Sequence, residues 1–295
     1  MQTLDSCPLC RSTHWSPFLK VRDYSVSGEE FHITHCKDCG LNFTNPRPGP
    51  EEIGRYYQFK DYVSHTDEEA TGWINQVYRR VRQHTLRQKE RWIRGLLPNK
   101  GRLLDIGCGT GDFAGHMAQT GWQVTGVEPD QNAAAKARAK HQLEVFGEEW
   151  LDRPGEPFDV VTLWHVLEHV HDLDGRIRQF THLVRRGGYL LVAVPNAEAY
   201  DAAYYKEYWA AWDVPRHLYH FKGKVLRHRI EQAGFSCERE RGLPFDPFYI
   251  AMLSEKYRRG KDAPVLGLFM GLGFWWQSFK EERHSSSKLY VFRKG

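Results

Sequence analysis

Residues 104–111 read Leu-Asp-Ile-Gly-Cys-Gly-Thr-Gly, between an apolar run over 102–106 and a stretch with helical spacing that begins at Asp112. Three glycines at alternate positions disfavour a regular helix or strand through the segment. They allow a sharp turn in which a ligand can lie against the backbone. Strand, glycine turn and helix in this order predict the opening unit of an open α/β sheet. Seventeen residues past Gly111, a second apolar run over 123–127 ends in Glu128. A carboxylate at that strand end is placed to accept the hydroxyls of a ribose, so the unit reads as a nucleoside site.

The spacing narrows the nucleoside. Dinucleotide turns follow G-x-G-x-x-G and set a pyrophosphate on the helix N-terminus. Here the pattern is G-x-G-x-G, with Asp105 at the strand end. A carboxylate there repels a pyrophosphate and attracts an amine; S-adenosylmethionine (SAM) carries an amine and a sulfonium and no phosphate. A nicotinamide enzyme is the alternative the turn leaves open.

The phrases L-D-I-G-C-G-T-G and V-T-G-V-E-P resemble the first two motifs of the class I SAM-dependent methyltransferases. Phe158-Asp-Val-Val-Thr-Leu-Trp-His-Val-Leu-Glu-His-Val170 is similar to the fourth-strand motif of that family. The resemblance implies a Rossmann-like, seven-stranded α/β sheet whose last strand is antiparallel. It also implies that Gly107, Gly109 and Gly111 wrap the methionine part of SAM, that Asp105 orients its amine and that Glu128 holds the ribose. Glu148 then falls near the adenine amine, and Trp164, at the end of the fourth strand, walls the cofactor.

Ahead of this core stand Cys7-Pro-Leu-Cys10 and Cys36-Lys-Asp-Cys39-Gly40, two C-x-x-C knuckles separated by 25 residues. The chain opens on polar residues with no secretory signal pattern, a context that favours metal over disulfides. Residues 1–48 therefore read as a zinc ribbon with Cys7, Cys10, Cys36 and Cys39 as a closed structural site. Redox-active pairs are the alternative. Residues 49–100 read as a connector, with Tyr56, Tyr57 and Tyr62 followed by helical spacing through Trp73, Ile74, Val77 and Tyr78 up to Leu97. Residues 101–295 form the catalytic core. Within it a helix is expected over about 174–185, ended by Gly187-Gly188, and a strand over 189–194. Residues 244–284 fit the core poorly: 264–276 is apolar and flanked by Lys256, Arg258, Arg259, Lys261 and Lys280. This accessory amphipathic segment reads as a peripheral membrane contact or as a packed lid or dimer helix.

Methyl transfer from a sulfonium is an in-line displacement that owes much of its rate to positioning. A hydroxyl acceptor, or a carbon beside a ketone, also needs a base, and histidine suits neutral pH. His165, directly after Trp164, and His217, in Pro-Arg-His-Leu, are the two candidates, with Arg216 as an anion contact. The N-terminal pattern is similar to zinc-ribbon methyltransferases of glycan and sugar-nucleotide pathways and to sugar C-methyltransferases, and the chain as a whole is also similar to ubiquinone-type O-methyltransferases. The acceptor class is thus a small molecule, sugar nucleotide, glycan or lipid-linked sugar, methylated on oxygen or carbon. An RNA base methyltransferase and a non-catalytic scaffold are the rivals. A net charge of +4, with 41 basic residues balanced by 37 acids and scattered along the chain, argues against nucleic acid. No apolar run is long enough to span a bilayer, and a cytoplasmic or membrane-peripheral protein is expected.

Overall fold

The computed structural model describes residues 1–57, 73–152 and 155–295, with side chains from Arg80 onward in the helix that begins at Trp73. Tyr62 and the side chains of Trp73, Ile74, Val77 and Tyr78 lie outside the described residues. In chain order the elements are β1 (Trp15–Arg22), β2 (Glu30–Cys36), β3 (Asn42–Thr44), α1 (Trp73–Leu96), β4 (Arg102–Ile106), α2 (Asp112–Gln119) and β5 (Gln123–Val127). Then follow α3 (Gln131–His141), β6 (Glu144–Phe146), β7 (Phe158–Trp164), α4 (Leu173–Leu183), β8 (Val184–Pro195) and α5 (Tyr200–Tyr205). The chain closes with β9 (Tyr219–His220), α6 (Gly223–Glu231), β10 (Phe235–Gly242), α7 (Asp246–Arg259), α8 (Pro264–Lys280) and β11 (Ser287–Lys294).

Seven strands form one sheet in the order β10-β11-β8-β7-β4-β5-β6. The five strands from β6 to β8 run parallel, and β11 is antiparallel to both of its neighbours. Leu104, Val161 and Leu190 on one face and Leu103, Val160 and Leu191 on the other are completely buried, as both faces of a largely parallel sheet must be. Each such side chain contributes about 1.5–3 kcal/mol. Chain order moves outward in both directions from the β4–β7 pair. Connections therefore leave the carboxyl ends of these two strands toward opposite faces, and a crevice opens between them.

One boundary differs from the expectation. Helix α4 stops at Leu183, and Val184 already pairs with Phe158 across the sheet. Gly187, at φ +72°, lies inside β8 beside a register irregularity rather than ending a helix. The glycine pair serves a bulge in the strand, and backbone pairing has taken over where helical spacing was read.

The N-terminal strands make a second, antiparallel sheet, β1-β2-β3-β9. Its last strand comes from beyond β8, so the sheet crosses the boundary expected at residue 48. Cys7, Cys36, Leu41 and Phe43 share one apolar cluster with Leu104, Val161 and Phe221. Arg216 joins the two parts: it is 3% exposed and donates to Asp23 (3.0 Å), to Asp213 and to the Tyr56 carbonyl (3.0 Å). Its guanidinium is thereby committed inside the protein, which corrects the expectation of an anion contact. Among the described residues, no helix is long and apolar enough to cross a membrane.

Candidate active site

The crevice between β4 and β7 gathers most of the residues singled out above. Backbone N–H groups of Gly107 and Cys108 both donate to the Val127 carbonyl (2.7 and 3.1 Å), folding the turn back onto the end of β5. Gly107, Gly109 and Gly111 all have positive φ, at +69°, +55° and +81°. A Cβ on Gly107 would stand 2.4 Å from Val166, so packing enforces that glycine. A Cβ on Gly109 would meet nothing within 4 Å; here the turn faces open space.

Glu128 closes this turn from the side. Its Oε2 accepts from the Gly109 N–H (2.8 Å) and its Oε1 from the Asp130 N–H (2.9 Å). The two bonds aim the carboxylate and leave a lone pair on each oxygen for further donors. Burial raises its pKa, and the two backbone donors oppose the rise. Glu148, at the start of a 3-10 turn, pairs with the buried Arg176 and stays about half exposed.

Asp105 is 2% exposed and accepts from Thr162 Oγ1 at 2.7 Å. Burial pushes its pKa up to about 7, against the pull of Thr162 and of the Lys89 ammonium. Lys89, on α1, is a residue that motif reading missed. Its Nζ stands 3.8 Å from the centre of the Trp164 ring, and burial lowers its pKa while Asp105 and Asp246 support its charge. Trp164 packs edge-on against Phe113. The Lys89 ammonium thus supports the charge of Asp105 from α1 without an ion-pair contact between them.

His165 has an unusual backbone, φ +58°, held by its N–H bond to the Ala193 carbonyl (2.9 Å). Its Nε2 lies 3.1 Å from Asp246 and its Nδ1 3.5 Å from Glu168. Burial works against its charge, but the two carboxylates outweigh it and raise its pKa to about 10. An imidazolium with both nitrogens engaged has no lone pair for a proton, so the expected role of His165 as a base does not suit this environment. It ties the loop after β7 to α7. Asp246, in the segment that fitted the core poorly, was also missed.

His217 is 8% exposed, and its Nδ1 faces the Ala211 carbonyl at 2.9 Å. That bond places a proton on Nδ1, and Nε2 lies 3.9 Å from an Asp213 carboxylate oxygen. His217 stacks edge-to-face on His169 with 4.7 Å between ring centres. Burial, then the neighbouring His217, lowers the pKa of His169 to about 4. Tyr57 of the tyrosine cluster reaches His169 Nδ1 at 2.9 Å. Glu168, His169 and His217 each bring one ligand atom within 4.8 Å of the others. The structure therefore gathers Asp105, the three glycines, Glu128, Trp164 and His165 around the crevice. His217 reaches it through His169 and Glu168.

At the N-terminus the four cysteines meet. Cys7 and Cys39 sulfurs are 3.6 Å apart, those of Cys10 and Cys36 3.5 Å, and all four lie within 4.8 Å of one another. Disulfide sulfurs stand about 2 Å apart. A tetrahedral ion with Zn–S near 2.3 Å implies sulfur separations of about 3.8 Å. The four thiols fit such an ion in number, spacing and chemistry.

Residues 75–240, more than half of the chain, match a family described as a methyltransferase domain. A ubiquinone biosynthesis O-methyltransferase of Sinorhizobium medicae is 32% identical over 178 residues, covering 56% of this chain and 69% of its own. One from Pseudomonas aeruginosa is 30% identical over 179 residues, covering 56% and 75%. Among solved structures, magnesium protoporphyrin IX methyltransferase from Synechocystis PCC 6803, with SAH bound, shares the fold at TM-score 0.53 and 16% identity. The likeness spans 79% of this chain and 93% of that one. The [4+2]-cyclase SpnF matches equally well, at TM-score 0.53 and 18% identity over 84% and 97% of the two chains, so the fold alone does not assign the reaction. It is the family match and these relatives, on a sheet with the glycine turn and Glu128 in place, that make this chain a member of the class I SAM-dependent methyltransferases.

Proposed function

We propose that this enzyme moves the methyl group of SAM to a hydroxyl oxygen of a small-molecule acceptor. The observation that carries the reading is the set of relatives that bear the name O-methyltransferase across two thirds or more of their length. On the cofactor side, Asp105 takes the amine of the methionine end and Lys89 faces its carboxylate. Gly107, Gly109 and Gly111 line the backbone path, Trp164 closes one wall, Glu128 holds the ribose and Glu148 reaches toward the adenine. In the transfer the S–CH3 bond breaks as the O–CH3 bond forms, and the hydroxyl proton leaves to a base. His217 is that base, with Nδ1 bound to the Ala211 carbonyl and Nε2 as the accepting atom, while His165 is held as an imidazolium. The four N-terminal cysteines hold a structural zinc that takes no part in the transfer.

The test is methyl-labelled SAM offered with hydroxylated aromatics, lipid-linked acceptors, sugar nucleotides and RNA. Label is expected on an oxygen of a hydroxylated small molecule. His217→Gln should lower kcat by about 10²–10⁴-fold while leaving the affinity for S-adenosylhomocysteine unchanged. Label on a sugar carbon or on RNA would replace this reading.

A further inference from the structure

Helix α8 runs for 17 residues, Pro264–Lys280, and carries no charge before Lys280. One side is fixed against α7: a Cβ on Gly267 would stand 2.4 Å from the Met252 Cα, and one on Gly271 2.7 Å from the Phe248 Cα. These two glycines bring the helices together and decide which face is turned outward. The outward face presents Val265, Leu268, Phe269, Leu272, Trp276 and Phe279, with 49–82% of each residue exposed. Their spacing of i, i+3, i+4, i+7, i+11 and i+14 makes one continuous row. Isolated exposed apolar residues need no explanation, but a continuous row of six marks an interaction surface.

Helix α1 carries a second row with almost the same spacing. It contains seven basic residues and one acid. Arg80, His84, Arg87, Arg91 and Arg94 are exposed and share one face. The scatter of basic residues read along the chain thus resolves, once wound into a helix, into a stripe. Arg80, Arg87 and Arg91 have no acidic partner among the described residues. Aromatic contacts run from α1 to the segment before α7 and from α7 to α8. His84 meets Phe245 edge-on at 5.7 Å, Phe248 meets Trp275 at 6.3 Å, and Trp275 meets Phe279 at 4.6 Å.

We infer that α8 and the arginine face of α1 together dock this enzyme on an anionic lipid surface, the apolar row entering the interface and the guanidiniums meeting headgroup phosphates. At about 1.5 Å per residue α8 is about 25 Å long, short of a span, and suits a helix that lies in the interface. A second copy of the chain would also cover the apolar row, but it would bring another arginine face and no charge complement. The same hairpin holds Asp246 against His165, so the docking helix packs on the element that reaches the candidate site. Use of a lipid-dissolved acceptor rests on the methyl transfer proposed above; the docking does not.

The experiment is co-sedimentation of the full chain with phosphatidylcholine vesicles, with and without phosphatidylglycerol. Binding is expected to rise with phosphatidylglycerol and to fall with salt. Phe269→Glu combined with Trp276→Glu should weaken it at least tenfold. Arg80→Glu with Arg87→Glu should weaken it about tenfold on phosphatidylglycerol alone. Both pairs should keep wild-type affinity for S-adenosylhomocysteine, which separates loss of docking from loss of the fold or of the cofactor site. Wild type that sediments with neither vesicle overturns the inference, as does binding indifferent to lipid charge. So does a dimer in light scattering that Phe269→Glu dissolves and that binds no vesicle, since the row would then be a self-interface.

Discussion

Asp105 shows how one buried carboxyl sets a working pH. Burial lifts its pKa to about 7, so it is mostly ionised only above neutrality. A cofactor ammonium favours the ionised form, and binding must therefore weaken as pH falls through 7, by up to tenfold per unit. We predict that calorimetric titration of S-adenosylhomocysteine at pH 6, 7 and 8 shows this fall, and that Asp105→Asn binds at least tenfold more weakly and loses it. A flat profile in the wild type would remove Asp105 from the amine. His165 runs the other way. A raised histidine pKa adds stability that is complete below its unfolded value near 6.5, declines progressively above it and is gone once pH has risen through about 10. It stays charged across the physiological range and acts as a strut. Asp105 and Glu128 were legible in sequence because the glycine turn fixes their places along the chain. The charge on His165 was not, because Asp246 arrives from 81 residues away.

At the scale of elements, the joint between the two sheets is the feature that carries load. Arg216 and Asp23 are 193 positions apart and almost fully buried, and Arg216 is shared with Asp213 and the Tyr56 carbonyl. Asp23 also accepts from the backbone of Ser25, Val26 and Ser27, so it stays partly satisfied if the arginine is lost. Arg216→Ala should destabilise the protein by about 3 kcal/mol, as expected for a buried pair broken on one side. Denaturant unfolding measures this; a change below about 1 kcal/mol would show that the joint rests on β3–β9 pairing and apolar contact. The pairing of β3 with β9 is only two residues long, and no periodicity test on the sequence announces so short a strand. Helix α4 and strand β8 show the same limit: Gly187-Gly188 was legible as a break, while its place inside a strand was set by the partner strand β7.

For the whole molecule, the cysteine cluster and the core behave as one body. Cys7 and Cys36 are completely buried in the cluster that also contains Leu104 and Val161. Stripping metal with a chelator should therefore lower the melting temperature of the entire protein in one transition, by about 5 °C or more. Scanning calorimetry with metal analysis checks this. A separate low-temperature transition would show a ribbon that unfolds alone, and absence of bound metal would leave the four thiols without their ion.

By itself the sequence determined the sheet, the nucleoside half-site and the meeting of the four cysteines. Each is encoded locally: alternating glycines force a turn, an apolar run forces a buried strand, and paired knuckles set ligands at fixed spacing. Tertiary structure alone decided that Lys89 stands over the Trp164 ring, that Asp246 pairs with His165, that β9 completes the N-terminal sheet and that α8 turns an apolar row outward. Those are relations between residues far apart in the chain, where burial and the field of neighbouring charges, rather than residue type, assign each side chain its chemistry.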